Sequence, residues 1–191
     1  MSDTIRAFIA IELPEEIIAF IGKIQQDVRS YGFKASWVRP KNIHLTLKFL
    51  GPINREDIKK VGDVIIGTAS ENIPLSLGVK GIGVFPGVKR PRVIWTGIAG
   101  QTEELSDLQK TLDGKLETVG FPKEKRPFRG HLTIARIKGS IDARRLIDAM
   151  KQLGKFESKK FSVNEIVLFK SELKPSGAKY TKLINAPLNA K

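Results

Sequence analysis

The chain has 191 residues, 41% of them hydrophobic and none of them cysteine, enough for the core of one domain and without material for disulfides, thiolate nucleophiles or cysteine zinc fingers. Lys and Arg number 33 against 20 Asp and Glu, a formal net charge of +13, which points either to an anionic partner such as nucleic acid or to the solvated, lysine-rich surface of a heat-adapted protein. The apolar run in MSDTIRAFIAIELPEE is too short to span a membrane and lacks the basic start and cleavage site of a signal peptide, so a cytoplasmic location is expected.

In chain order, a strand is predicted at TIRAFIAIEL and a helix from Pro14 to Tyr31. In that helix Ile17, Ile18, Ile21, Ile24 and Val28 recur at helical spacing behind Pro14 and two acids. NIHLTLKFLG alternates as a strand and is expected to stop at Gly51-Pro52. NREDIKKVGDVIIGTAS then reads as a helix with Asn54 as its N-cap. IPLSLGVKGIGVF and RVIWTGI are predicted strands joined by the turn-rich PGVKRP. A helix at QTEELSDLQKTLDGKLETVG, a strand at GHLTIARIKG and a helix at DARRLIDAMKQL follow, then strands at FSVNEIVLFKSEL and AKYTKLINAPL. Strands, helices and hairpins are mixed, which favours α+β over a doubly wound sheet. No linker interrupts the chain, so residues 1–191 read as a single domain.

The chain has only two histidines, His44 in HLTL and His131 in HLTI. In a strand, side chains alternate faces. His44 and Thr46 then share one face and Leu45 and Leu47 the other, and His131 and Thr133 stand likewise against Leu132 and Ile134. A repeat of this kind suggests two similar lobes related by a pseudo-twofold axis, although the two halves share no other clear similarity. If the two strands face one another, two imidazoles and two hydroxyls surround one volume. That set suits hydrolysis of a cyclic phosphate: one imidazole deprotonates water, the other protonates the leaving alkoxide, and the threonines hold non-bridging oxygens.

A lone His-x-Thr would be ordinary core or surface, but two copies use up every histidine in the chain. A zinc site is the competing reading. It lacks a third ligand at suitable spacing, and a hydroxyl two residues away serves an anion better than a cation. Arg136 falls five residues after His131, so an unbroken strand turns it to the opposite face; only a bulge, a twist or a strand end would bring it to the site. Lys48 falls on the face of His44, where a solvated lysine is expected. Phe49, Trp37, Phe85 and Trp95 are candidates for base stacking, with core packing the alternative for each. GVKGIGVFPGVKRPR is glycine-rich but lacks the Gly-Lys-Ser/Thr ending of a phosphate loop.

At these motifs the sequence resembles the 2H phosphoesterase superfamily, and within it the RNA 2′,3′-cyclic phosphodiesterases, also called 2′-5′ RNA ligases. The resemblance runs through RAFIAIELP, WVRPKNIHLTLKFLG, FPGVKRPRVIW, RPFRGHLTIAR and SELKPSGAKY. It implies a bilobal α+β fold: two pseudo-twofold-related lobes of mainly antiparallel sheet with outer helices and a central cleft. It also implies hydrolysis of RNA 2′,3′-cyclic phosphate ends, those of tRNA fragments among them, to 2′-phosphates without ATP; no cofactor or metal is expected, and a monomer is the default expectation. Carried onto matching positions, it makes His44 the proton donor and His131 the proton acceptor. Thr46, Thr133 and Arg136 become phosphate-binding, and the reverse reaction becomes 2′-5′ ligation. The family commonly has proline before the second histidine, where this chain has Gly130, which loosens the approach to His131. The alternatives are an RNA- or nucleotide-binding module without catalysis and a phosphodiesterase of small cyclic nucleotides.

Overall fold

The computed structural model describes residues 4–175 and 177–189. The chain runs β1 (Thr4–Ile11), α1 (Glu15–Ser30), β2 (Ala35–Trp37), β3 (Leu45–Asn54), α2 (Asp57–Ser70), β4 (Leu75–Phe85), β5 (Val93–Gly100) and α3 (Thr102–Thr118). It continues through β6 (His131–Ile137), α4 (Ala143–Leu153), β7 (Phe161–Val163), β8 (Glu165–Lys174) and β9 (Gly177–Pro187). The strands form two sheets, β3-β1-β8-β9 and β2-β6-β5-β4-β7, with antiparallel neighbours throughout. This is the expected α+β architecture with antiparallel sheets.

The helices cover one side of the sheets. Ile17, Ile21, Ile24 and Val28 of α1 and Leu105, Leu108, Leu112 and Leu116 of α3 join a continuous core with Ile9, Leu45, Leu47, Ile94, Leu132 and Ile134. The strand faces bearing Leu45 and Leu132 therefore point into this core, and the faces bearing His44 and His131 point away from it. The two sheets share an order of strands. In each, the His-motif strand (β3 or β6) lies beside the strand that precedes it by one helix (β1 or β5), and next comes a strand from the other half of the chain (β8 or β4).

Several boundaries differ from expectation. β3 runs through Gly51 and Pro52 to Asn54, because β3 is an edge strand with no partner on its outer side to need the missing N–H of proline. Asn54 pairs with Thr4 in that ladder, so it does not cap α2. FSVNEIVLFKSEL is two strands divided at Asn164, and they belong to different sheets. The three-residue β2 went unpredicted, being too short to show periodicity.

Both His-motif strands carry a one-residue bulge at the same place. Opposite β1, Thr46 pairs with Ala10 and Lys48 with Ile9, leaving Leu47 as the extra residue. Opposite β5, Thr133 pairs with Trp95 and Ala135 with Ile94, leaving Ile134 as the extra residue. Each bulged carbonyl accepts from a buried glutamine of a helix in the other half of the chain. Gln25 Nε2 of α1 donates to Ile134 O and Val38 O, both at 2.8 Å, and Gln109 Nε2 of α3 donates to Leu47 O at 3.4 Å. A bulge shifts the alternation by one residue. Lys48 is therefore not solvated beside His44, as its spacing predicted. It is buried on the opposite face, where its ammonium pairs with Asp113 of α3 and donates to Pro122 O at 2.5 Å. Asp113 also accepts from Glu124 N at 3.1 Å, which fixes the segment leading from α3 toward β6.

Two outcomes follow for stability. In urea denaturation, Gln25→Leu lowers the unfolding free energy by about 1–3 kcal/mol by stranding the Val38 carbonyl, and Gln109→Leu, losing a longer bond, costs less. Lys48→Met costs about 3–5 kcal/mol, because it leaves the Asp113 carboxylate without its paired ammonium in a largely dry site, and the double change Lys48→Met/Asp113→Leu recovers most of that loss.

Candidate active site

His44 lies immediately before β3 and His131 opens β6. Each ring is held in the same way: His44 Nδ1 lies 2.8 Å from Asn42 O, and His131 Nδ1 lies 2.7 Å from Arg129 O. A carbonyl oxygen only accepts, so in each ring the Nδ1 must carry the hydrogen and donate it. Nε2 is thereby the nitrogen left to gain or lose a proton. Asn42 is itself anchored by its Nδ2 donating to Ala178 O of β9 at 2.8 Å. Gly130, between Arg129 and His131, packs closely on the core: a Cβ there would sit 3.3 Å from Leu105 Cδ2.

The two rings have different surroundings. His44 stacks on Phe8 with centroids 4.7 Å apart and meets the edge of Tyr180 at 5.2 Å, with Phe169 at 6.5 Å. This apolar enclosure lowers the His44 pKa from its ordinary value, since burial penalises the imidazolium; the bond to Asn42 O opposes the shift in part. His131 meets Phe85 edge-on at 5.0 Å and Trp95 at 6.3 Å.

Thr46 and Thr133 are half-buried on the faces of their histidines, as alternation predicted. Arg136 pairs with Val93, two residues from the Trp95 that pairs with Thr133, so the bulge at Ile134 brings Arg136 onto the His131 face. Its positive charge is felt at Tyr180 of the other sheet, where it opposes the rise that burial imposes on the phenol pKa. Phe49, five residues after His44, is turned to the His44 face by the equivalent bulge.

Among the other aromatics, Phe85 and Trp95 stack on each other at 5.0 Å beside His131. Trp37 lies elsewhere, opposite the core residue Ala135 and under the Arg29 guanidinium at 4.8 Å. Sequence reasoning missed Phe8, Phe169 and Tyr180 as the enclosure of His44. They come from three strands brought side by side by pairing across most of the chain length. It also missed a cavity of about 520 Å³ beside His44, whose wall includes Arg39, Lys41, Lys174, Lys179 and Lys182 against a single acid, Glu12. Among the described residues, no three His, Asp or Glu side chains gather as a metal-binding group would, and no helix is long and apolar enough to cross a membrane.

Known proteins resemble this chain in sequence and fold. The RNA 2′,3′-cyclic phosphodiesterase of Methanothermobacter thermautotrophicus is 34% identical over 94% of this chain and 96% of its own. That of Aquifex aeolicus is 34% identical over 93% and 94% respectively. Among solved structures, TT0787 of Thermus thermophilus superposes with a TM-score of 0.79 at 29% identity, covering 96% of this chain and 97% of that one. E. coli LigT complexed with 3′-AMP shares the fold, with a TM-score of 0.75 at 23% identity over 98% and 99% of the two chains. The profile of the 2′-5′ RNA ligase superfamily matches residues 13–175, and the chain belongs to that superfamily.

Proposed function

We propose that this protein hydrolyses RNA 2′,3′-cyclic phosphate ends to 2′-phosphate ends by two-histidine acid–base catalysis. The observation that carries the reading is the paired set of imidazoles, each with Nδ1–H fixed on a backbone carbonyl and each beside a threonine on its own face. The names of the relatives with 34% identity support the substrate class.

In this scheme His131 Nε2 takes a proton from water as the water oxygen bonds to phosphorus. The P–O3′ bond breaks, and His44 Nε2–H delivers its proton to O3′. The product is a 2′-phosphate with a free 3′-hydroxyl, and proton exchange with solvent resets the two rings. Thr46 and Thr133 donate to the non-bridging oxygens, and Arg136 adds positive charge as negative charge builds there. A 5′-hydroxyl of another RNA end in place of water gives a 2′–5′ linkage by the same steps. The proposal extends to a monomer of one domain spanning residues 1–191, working in the cytoplasm without a cofactor on RNA such as tRNA fragments.

The enclosure of His44 favours a second assignment, with the roles exchanged, because burial keeps that ring neutral in the empty protein. Under the first assignment, the incoming phosphodiester anion restores the imidazolium by charge attraction. A short RNA with a cyclic phosphate whose O3′ is replaced by sulfur separates the two, since a thiolate leaves without a proton. In EDTA, His44→Ala and His131→Ala each lower hydrolysis of the oxygen substrate by about 100-fold or more. On the sulfur substrate His44→Ala recovers most of its rate while His131→Ala does not. Recovery by His131→Ala instead establishes the exchanged roles, and full activity of both variants on the oxygen substrate rejects two-histidine catalysis.

A pH titration followed by 15N NMR resolves the chain's two imidazoles, and loss of one signal in His131→Ala assigns the other to His44. His44 titrates below the ordinary value of about 6.5 and keeps its proton on Nδ1 at high pH. The unfolded chain binds this proton more readily than the folded one. Protonation of His44 therefore makes the fold less stable as pH falls from about 6.5 through the lowered value. Saturating a product 2′-phosphate end into the site raises the His44 pKa.

A further inference from the structure

We propose that Phe49 is a stacking platform for an unpaired base upstream of the cyclic-phosphate nucleotide, and that the cations of the adjoining 123–126 segment hold the strand against it. The proposal deepens the reading above: it names a subsite that selects an RNA strand over a cyclic mononucleotide.

Three observations converge on this residue. Phe49 is 62% exposed, although it is a large aromatic on a strand whose neighbouring Lys48 is buried. Its orientation is built in, because the bulge at Leu47 turns it outward and Gln109 and the Lys48–Asp113 pair hold that bulge. It occupies the place in the first motif that Arg136 occupies in the second, five residues beyond the histidine and past the same bulge. One lobe thus offers the cleft a cation and the other an uncovered ring.

The ring is also well placed relative to the chemistry. Phe49 lies 6.2 Å from Phe8, centroid to centroid, and Phe8 stacks at 4.7 Å on His44. A base on Phe49 would extend this row of rings away from the reacting phosphate. On its other side Phe49 borders a second cavity of about 450 Å³, shared with Pro122, Lys123, Glu124, Lys125 and Arg126. Lys123 pairs with Glu117 at 2.8 Å. Lys125 and Arg126 are exposed, and beside the one carboxylate of Glu124 they leave the rim cationic. The rim is tethered from beneath by Lys48 on Pro122 O and Asp113 on Glu124 N. An aromatic face beside tethered cations is what single-stranded nucleic acid uses, base on ring and phosphate on cation. A cyclic mononucleotide has no second base to place there.

The test compares kcat/KM for 2′,3′-cyclic CMP with that for a hexanucleotide ending in cyclic phosphate, using wild type, Phe49→Ala and Phe49→Trp. Because Phe49 is exposed, the alanine variant is expected to fold, and a thermal melt verifies it. Phe49→Ala lowers the hexanucleotide-to-mononucleotide ratio by about 10-fold or more. Phe49→Trp restores the ratio, and an abasic site at the upstream nucleotide lowers it in wild type as the alanine does. Equal effects of Phe49→Ala on both substrates, or none on either, overturn the proposal. A second readout needs no turnover: 2-aminopurine placed upstream of a 2′-phosphate end changes fluorescence on binding wild type but not Phe49→Ala. That signal without hydrolysis upholds the platform and sinks the hydrolase; hydrolysis with an unchanged ratio and no Phe49-dependent signal does the reverse.

Discussion

The one-residue bulge in each His-motif strand is the constraint on which the candidate site depends. Unbroken alternation would bring Lys48 to the face of His44 and send Phe49 and Arg136 into the core. The extra residues Leu47 and Ile134 reverse all three placements while leaving each histidine and its threonine untouched. A bulge leaves a backbone carbonyl out of the ladder, and an unpaired buried carbonyl is costly. At Ile134 that carbonyl accepts from Val38 N at 3.0 Å and from Gln25, and at Leu47 it accepts from Gln109. The two glutamines, from helices in opposite halves of the chain, thereby tie each histidine strand to the helix of its counterpart.

Equal tethering and unequal surroundings give the two imidazoles different characters. Both Nδ1 atoms donate to a carbonyl two residues earlier, which fixes the same tautomer in both. Phe8, Phe169 and Tyr180 then dehydrate His44, while His131 lies against Phe85 and Trp95. Acid–base catalysis by a symmetric pair needs some such asymmetry, because one ring must hold a proton while the other lacks it. Sequence repetition supplies the pair, and strand neighbours supply the difference.

The elements that repeat locally were legible in the sequence: the helices from their apolar spacing, the His–Thr faces from alternation, the α+β class from the mix of both. What was not legible required partners far away in the chain. Lys48 looked solvated because its mate is Asp113, 65 positions on. Arg136 looked misdirected because a bulge has no periodic signature, only an interruption of one. Gln25 and Gln109 gave a weak sign, since each falls among the apolar positions of an amphipathic helix. Asn54 read as a cap because a helix start and a strand end draw on the same residue types, and Thr4, its ladder partner, is 50 positions away.

The exchange of strands between the sheets bears on how such a chain could be divided. β4, from the first half, completes the sheet of His131, and β8 and β9, from the second half, complete the sheet of His44. A fragment ending after β4 would hold His44 on an incomplete sheet and carry a strand whose proper neighbours are missing. Two copies of such a fragment could satisfy one another only by trading strands, as in a domain-swapped dimer. The full chain is thus the covalently fused form of that exchange. Its two lobes cannot be melted or excised independently, because strands and helices from both halves of the chain share one continuous core.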